Sequence, residues 1–414
     1  MQVYNMINSR HTPVESIRAI RPAQPQFQPY EVFGNPLNHG DPNLQCVPTR
    51  WSDVIIFFLG NYIAHAATVV QYPGSAPIVS IQNVFYALLF PVTGTTRGLK
   101  SIASCAVFYM HKSDLECAAR AGALVKVVKL SDYARTDREK ALMGRQDNRG
   151  WLRSGQVHGR IYVPRGYGLA LVPKNSKFIE DTSKKGTNPQ TVLSVEYNAI
   201  KILVAIGQLC FAITTLYRAR GNQVDVYGYA AFGLTVTQYA LMSFINLLGN
   251  LCCPQYSAVY LVKTHLMREA QNYDGIFEGV VGTLVEDTQN YERDTCEASQ
   301  GGALRSMIKN SWRLPLVWVP TAISIIIIWA LSRFRAGHST VVQRAVLMAW
   351  LAVGSYVGAM GLEDRRHDSK EEERKRRRHR PLRLATIGIF AVPIIWGYII
   401  VGQMLIHYGT CTVH

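Results

Sequence analysis

Carboxylates are scarce in this chain: 28 Asp and Glu stand against 44 Lys and Arg, and only 17% of the 414 residues carry charge. Few acidic residues fall inside the long apolar runs, and none there is obviously paired. An intramembrane hydrolase or acyltransferase, which needs positioned acid and base groups, is hard to build from such a set. HExxH, GxSxG and a GxGD-like aspartate pair are all missing. The segment GTTRGLKS (Gly94–Ser101) fails as a phosphate loop, because three residues separate its glycines and Leu99 parts Gly98 from Lys100. The eight cysteines (46, 105, 117, 210, 252, 253, 296 and 411) show neither CxxC spacing nor a dense framework. Neither a zinc site nor a disulfide scaffold is therefore expected, and no metal or cofactor is called for. Residues 1–51 hold no apolar h-region, so a signal peptide is not expected. Myristoylation, prenylation and retention motifs are missing as well.

What the chain does have is long apolar runs. Leu314 to Ser332 carries no charged residue and contains TAISIIIIWAL. About 20 such residues, rising 1.5 Å each, match the ~30 Å hydrocarbon core of a bilayer. Seven runs of this kind are read as spans: Val54–Val70, Ile78–Leu99, Val192–Tyr217, Gly228–Cys252, Leu314–Ser332, Val341–Gly361 and Leu384–Ile406. The second is interrupted by Pro91, Thr93–Thr96 and Gly94, and a re-entrant or interfacial course is its alternative. The expected fold is thus an all-α membrane protein, a bundle of about seven transmembrane helices with a small cytosolic α/β insert.

The organisation follows from these runs. Residues 1–50 form a polar tail, 51–99 the first two spans and 100–190 a basic insert. Residues 191–253 hold the third and fourth spans, 254–313 a loop and 314–361 the fifth and sixth spans. A highly charged loop occupies 362–383, and 384–414 supply the last span and a short tail. Within the insert, Asp114–Leu130 reads as a helix, and Arg160–Val163 with Leu169–Val172 as a hairpin. Helices are expected around Ser257–Ala270 and Gly302–Trp312.

Net charge of +16 would suggest nucleic acid in a soluble protein. Here the basic residues concentrate in loops, so the bilayer is the expected partner and nucleic acid is not. Residues 97–190 hold 18 Lys and Arg against 8 Asp and Glu, and residues 362–383 hold 10 against 6. Four spans separate these loops, and the positive-inside rule makes their common side cytoplasmic. With seven crossings the N-terminus is then cytoplasmic and the C-terminus outside.

WSDVIIFFLGNYIAHAATV (Trp51–Val69), PVTGTTRGL (Pro91–Leu99), VHGRIYVPRGYGLALVP (Val157–Pro173) and the long segment Leu216–Leu251 with its YGYAAFG core together resemble a family of multi-pass membrane proteins of filamentous fungi. The resemblance implies a membrane fold and a fungal source. The family brings no established activity, so no catalytic or binding residue is carried over.

Polar residues inside spans cost free energy and point to function. Asn61 and His65 share one face of the first span. Tyr239, Ser243, Asn246 and Asn250 form a stripe on the fourth. Should the two stripes meet, they would make a polar interior, serving either as a hydrated path or as hydrogen-bonded glue between helices. Gly354 and Gly358 form a GxxxG pair suited to close helix packing, within the chain or in a homo-oligomer. Cys252 and Cys253 suit S-acylation at a span end or are plain buried thiols. Arg374, Lys375, Arg376, Arg377 and Arg378 suit anionic lipid headgroups, or serve only to set topology. Three functions compete. A non-enzymatic scaffold, sensor or organiser leads, a channel or transporter using the first and fourth spans is the alternative, and a lipid enzyme based on His65 or His407 comes last.

Overall fold

The computed structural model describes residues 44–104, 106–107, 113–129, 157–179, 193–196, 199–285, 313–363 and 370–413. In chain order the first part comprises β1 (Leu44–Val47), α1 (Trp51–Phe58), a π turn (Leu59–Ile63), α2 (Ala64–Ala67), α3 (Pro77–Leu89), α4 (Pro91–Ser104) and α5 (Asp114–Ala121). Strands β2 (Leu124–Lys129), β3 (Ile161–Tyr162), β4 (Tyr167–Leu171), β5 (Phe178–Ile179) and β6 (Val195–Glu196) follow. Then come α6 (Ala199–Arg218), a second π turn (Ala219–Gln223), α7 (Val224–Tyr227), two 3-10 turns and α8 (Thr237–Cys252). After β7 (Gln255–Tyr256), β8 (Tyr260–Lys263), α9 (His265–Gln271), β9 (Ile276–Phe277) and β10 (Val280–Leu284), the chain closes with α10 (Arg313–Ser332), α11 (Val341–Glu363), α12 (Lys370–Tyr408) and β11 (Thr410–Val413).

The seven comparable spans read from the apolar runs are not what forms. Among the described residues, three helices are long and apolar enough to cross a membrane (Ala199–Arg218, Phe232–Cys252 and Gly388–Tyr408), or four if α3 and α4 count as one span. Each departure has a local cause. The first run is cut by the π turn at Leu59–Ile63. The second folds by 118° at Phe90. There the following Pro91 excludes helical backbone, and Phe90 adopts φ −129°, ψ 82°. The fourth run starts in 3-10 turns, because Gly228 takes a left-handed φ of 61° where its Cα packs against the backbone of Arg335 and Ala336. Trp318–Ser332 and Val341–Gly354 are shorter apolar helices. The charged loop expected at 362–383 is helical from Lys370, continuous with the last apolar segment over 39 residues.

The bundle has two distinct ends. At one, β1 pairs antiparallel with β11, and a disulfide joins Cys46 to Cys411. Thr410 donates to the Asp53 carboxylate (3.1 Å), and Thr49 donates to the Leu405 carbonyl (2.7 Å). The turn after α7 belongs here too, since the Tyr227 and Phe232 rings contact Tyr408 and the His338 amide donates to the Val226 carbonyl (2.7 Å). At the opposite end, Gly74 N–H reaches the Tyr256 carbonyl (3.3 Å), Val107 N–H reaches the Cys252 carbonyl (3.0 Å), and β6 pairs with β7.

These anchors trace the path. The α1–α2 segment, α6 and α8 run from one end to the other, while α10 finishes, α11 begins and α12 finishes at the disulfide end. The α3–α4 pair leaves the second end and returns to it. The flanks of the first and last helices therefore lie together, not on opposite faces as seven crossings require. The sequence predicts no disulfide scaffold, and the single bond formed was not foreseen, because a pair 365 residues apart leaves no local spacing to read.

The insert and the loop after α8 build one sheet at the second end, in the order β4-β2-β8-β10-β5. β2 pairs antiparallel with β4 and parallel with β8, β8 parallel with β10, and β10 antiparallel with β5. Alternation sorts the side chains: Leu124, Tyr260 and Val262 pack with Leu115 and Ala118 of α5, while Val125, Val127 and Leu261 pack with Met267 and Ala270 of α9. Two expectations are corrected here. Asp114–Leu130 is a short helix ended by left-handed Gly122 and followed by the strand LVKVVK, whose β-branched valines favour the sheet. The expected hairpin does not close on itself, because β3 pairs with β9 and β4 with β2. Ser257–Ala270 divides into β8 and α9, and Gly302–Trp312 lies outside the described residues.

Candidate functional site

The tightest helix pair in the bundle is α4 against α8. Three glycines permit it. A Cβ on Gly98 would come within 2.9 Å of the Ile245 carbonyl and 2.8 Å of Asn246 Oδ1. Gly94 faces Met242, and Gly249 lies against the Gly98 backbone. Gly94 and Gly98 are thus a working GxxxG pair, overlooked in a segment read as an interrupted span and weighed as a phosphate loop.

Across α8 lies the first segment. His65 and Ser243 are both fully buried, with His65 Nδ1 2.6 Å from Ser243 Oγ. Thr68 donates to the His65 carbonyl (2.7 Å) and lies 3.4 Å from Ser243 Oγ. The π turn presents Asn61, whose amide donates to the Phe57 carbonyl (3.1 Å), and Tyr62, whose hydroxyl meets Thr235 (2.6 Å). Single π turns of this kind are frequent at functional sites.

Near the tip of the α3–α4 hairpin the helix break leaves carbonyls without helical partners. The Leu88 carbonyl accepts from Tyr239 (2.6 Å) and Tyr398 (2.8 Å), whose hydroxyls are 2.8 Å apart. The rings of Phe58, Tyr62, Tyr239, Trp350 and Tyr398 pack edge-on or tilted around this point. The hairpin is also clamped nearer its mouth: Arg97 donates to Asn83 and lies over the Tyr72 ring.

Several buried polar atoms have no hydrogen-bond partner: Asn61 Oδ1, His65 Nε2, Gln238 Oε1, both amide atoms of Asn246, and Asn250 Nδ2. Each such atom costs about 1–3 kcal/mol. Four of these atoms lie on α8 and two on the segment facing it, while Gln208 Oε1 on α6 and Trp350 Nε1 on α11 are further such atoms away from that contact. A cleft beside Gln238, lined by Thr95, Thr321 and Ser324 among others, has room for a guest about the size of one water. Around it the described core is packed by large buried side chains, among them Tyr62, Leu234, Tyr239 and Met242.

The two polar stripes read from the sequence therefore meet, at His65 and Ser243, with Asn246 turned toward α4. Tyr239 belongs to the carbonyl knot at the hairpin tip, and Asn250 accepts from Gln255 (2.9 Å) near the sheet. Gly354 is buried, yet a Cβ there would meet Gln238 Oε1 only at 3.7 Å, so no helix approaches it closely. Gly358 lies within α11, and Arg374, Lys375, Arg376, Arg377 and Arg378 lie within α12, whose backbone is helical there. Cys253 is buried and Cys252 partly so. Of the residues missed, Tyr398 and Thr235 gave no periodic signal, whereas the GxxxG spacing of Gly94 and Gly98 did.

Compared with protein-family models, curated proteins and solved structures, the chain has no match, and its likeness to fungal membrane proteins stays a resemblance.

Proposed function

We propose that the chain is an integral membrane protein crossing the bilayer six times, and that its buried polar seam accommodates a small polar solute in transit. The observation that supports this most is the row of unpartnered amide and imidazole atoms on Asn61, His65, Gln238, Asn246 and Asn250. Glue between helices would leave such atoms paired. Broken helices also fit this reading, because irregular backbone at membrane depth is tolerated where it lines a path or is sealed by protein.

Two independent arguments support one orientation. The described parts of residues 97–190 build the sheet end, and the basic surplus of that stretch of sequence favours the cytosol for it. The opposite end carries the Cys46–Cys411 disulfide, which favours an oxidising compartment. On this reading the basic block at Arg374–Arg378 stands beside cytosolic anionic lipid. The test is solute flux into proteoliposomes holding wild type or Asn246→Leu. Loss of flux in the variant supports transit through the seam, and equal flux in both removes it. A non-enzymatic organiser is the second reading, favoured by the largely filled interior; it predicts no flux of any solute from either protein.

A further inference from the structure

We infer that the solute is uncharged and about as large as water, meaning water itself or ammonia. This rests on the transit reading above and narrows it. The unpartnered atoms are of both kinds: Asn61 Oδ1, Gln238 Oε1 and Asn246 Oδ1 accept, while Asn246 Nδ2 and Asn250 Nδ2 donate. His65 Nε2 does either, according to its tautomer. Exchanging the two amide atoms of Asn246 in the assignment changes nothing, because both are unpartnered.

A mixed set is the wrong environment for an ion. A cation is held by acceptors alone and an anion by donors alone, and the dehydration cost of either must be offset by many contacts of one sign. A neutral hydride that donates and accepts at once matches the alternation. Charge points the same way, since among the described residues the fully buried polar side chains include no Asp, Glu, Lys or Arg. Size sets the upper limit. The α4–α8 contact is closed by Gly98 against Ile245 and Asn246, and the cleft beside Gln238 holds about one water. Glycerol or a hydrated potassium ion requires a wider opening than the packed seam gives.

The experiment uses the full chain in liposomes with four readouts. Osmotic shrinkage followed by stopped-flow scattering reports water. An internal pH dye reports ammonia entry. Potassium flux and glycerol-driven reswelling report the excluded classes. The expected result is water or ammonia permeability above protein-free vesicles, potassium and glycerol at background, and a return to background in Asn246→Leu. Ser243→Ala, a smaller change, is expected to lower the same flux in part. Retention of the Cys46–Cys411 link on non-reducing gels verifies that each variant is folded. Potassium or glycerol flux lost in Asn246→Leu overturns this inference while leaving the transit reading in place. Background flux of all four, from protein whose disulfide is intact, removes both.

Discussion

Gly98 and Gly354 sit in the same kind of motif and have opposite surroundings. A methyl group at Gly98 meets backbone at 2.9 Å, which cannot yield as a flexible side chain would. Gly98→Ala is expected to destabilise the protein by about 1–3 kcal/mol through overpacking. At Gly354 the same methyl meets ordinary contacts at 3.7 and 3.9 Å, so Gly354→Ala is expected to be neutral or stabilising by up to about 1 kcal/mol. Thermal unfolding in detergent measures both, and equal shifts would refute the packing argument. Asn246 is predicted to show the signature of a group kept for function. Removing its unpartnered amide in Asn246→Leu should raise stability by about 1 kcal/mol or more while abolishing flux. A fall in stability would mean that the amide is paired in the protein as it exists.

At the scale of elements, the α3–α4 hairpin depends on its tip. Tyr239 and Tyr398 both serve the Leu88 carbonyl, so each covers for the other. Single Phe substitutions are expected to cost about 1 kcal/mol or less, and the double substitution more than their sum. Additive costs would argue against a shared acceptor. In the sheet, Lys129 donates to Glu269 (2.9 Å), and this contact, with Tyr167, holds the Glu269 carboxyl below its usual range. A depressed carboxyl contributes stability above its unfolded value and loses it as pH falls through the folded one. Both side chains are more than a third exposed, so the contribution is small. Lys129→Met is expected to flatten the acid limb of the stability curve slightly, and no change would assign the pair no role.

The elements also show what a sequence can and cannot carry. The stripe on α8 was legible because 239, 243, 246 and 250 repeat with helical spacing, and that spacing holds wherever the helix packs. That it meets His65 was only a conditional, since facing is a tertiary fact. The strands at 161–162 and 167–171 were legible from composition, yet their partners were not. β3 finds β9 across more than a hundred residues, and local turn chemistry says nothing about such a pairing. The π turn at Leu59–Ile63 has no signal in an otherwise regular apolar run.

For the whole molecule, everything depends on parity. The apolar runs formed apolar helices, three or four of them among the described residues long enough to cross a membrane, and the run Ile78–Leu99, for which a re-entrant course was the alternative to a span, bends by 118° into the α3–α4 pair. The Cys46–Cys411 link closes the structure at one end. Cys46→Ser is expected to lower stability by about 2–4 kcal/mol, read as earlier thermal unfolding, and an unchanged transition would assign the bond no structural weight. The most direct test of six crossings is sided labelling in sealed vesicles with a membrane-impermeant maleimide. In a background where Cys105, Cys117, Cys210, Cys252, Cys253 and Cys296 are serine, single cysteines replace Arg50, His338 and Lys174 in turn. The account predicts that positions 50 and 338 label together from the non-cytosolic side and position 174 only from the cytosolic side. Labelling of positions 50 and 338 from opposite sides would contradict it.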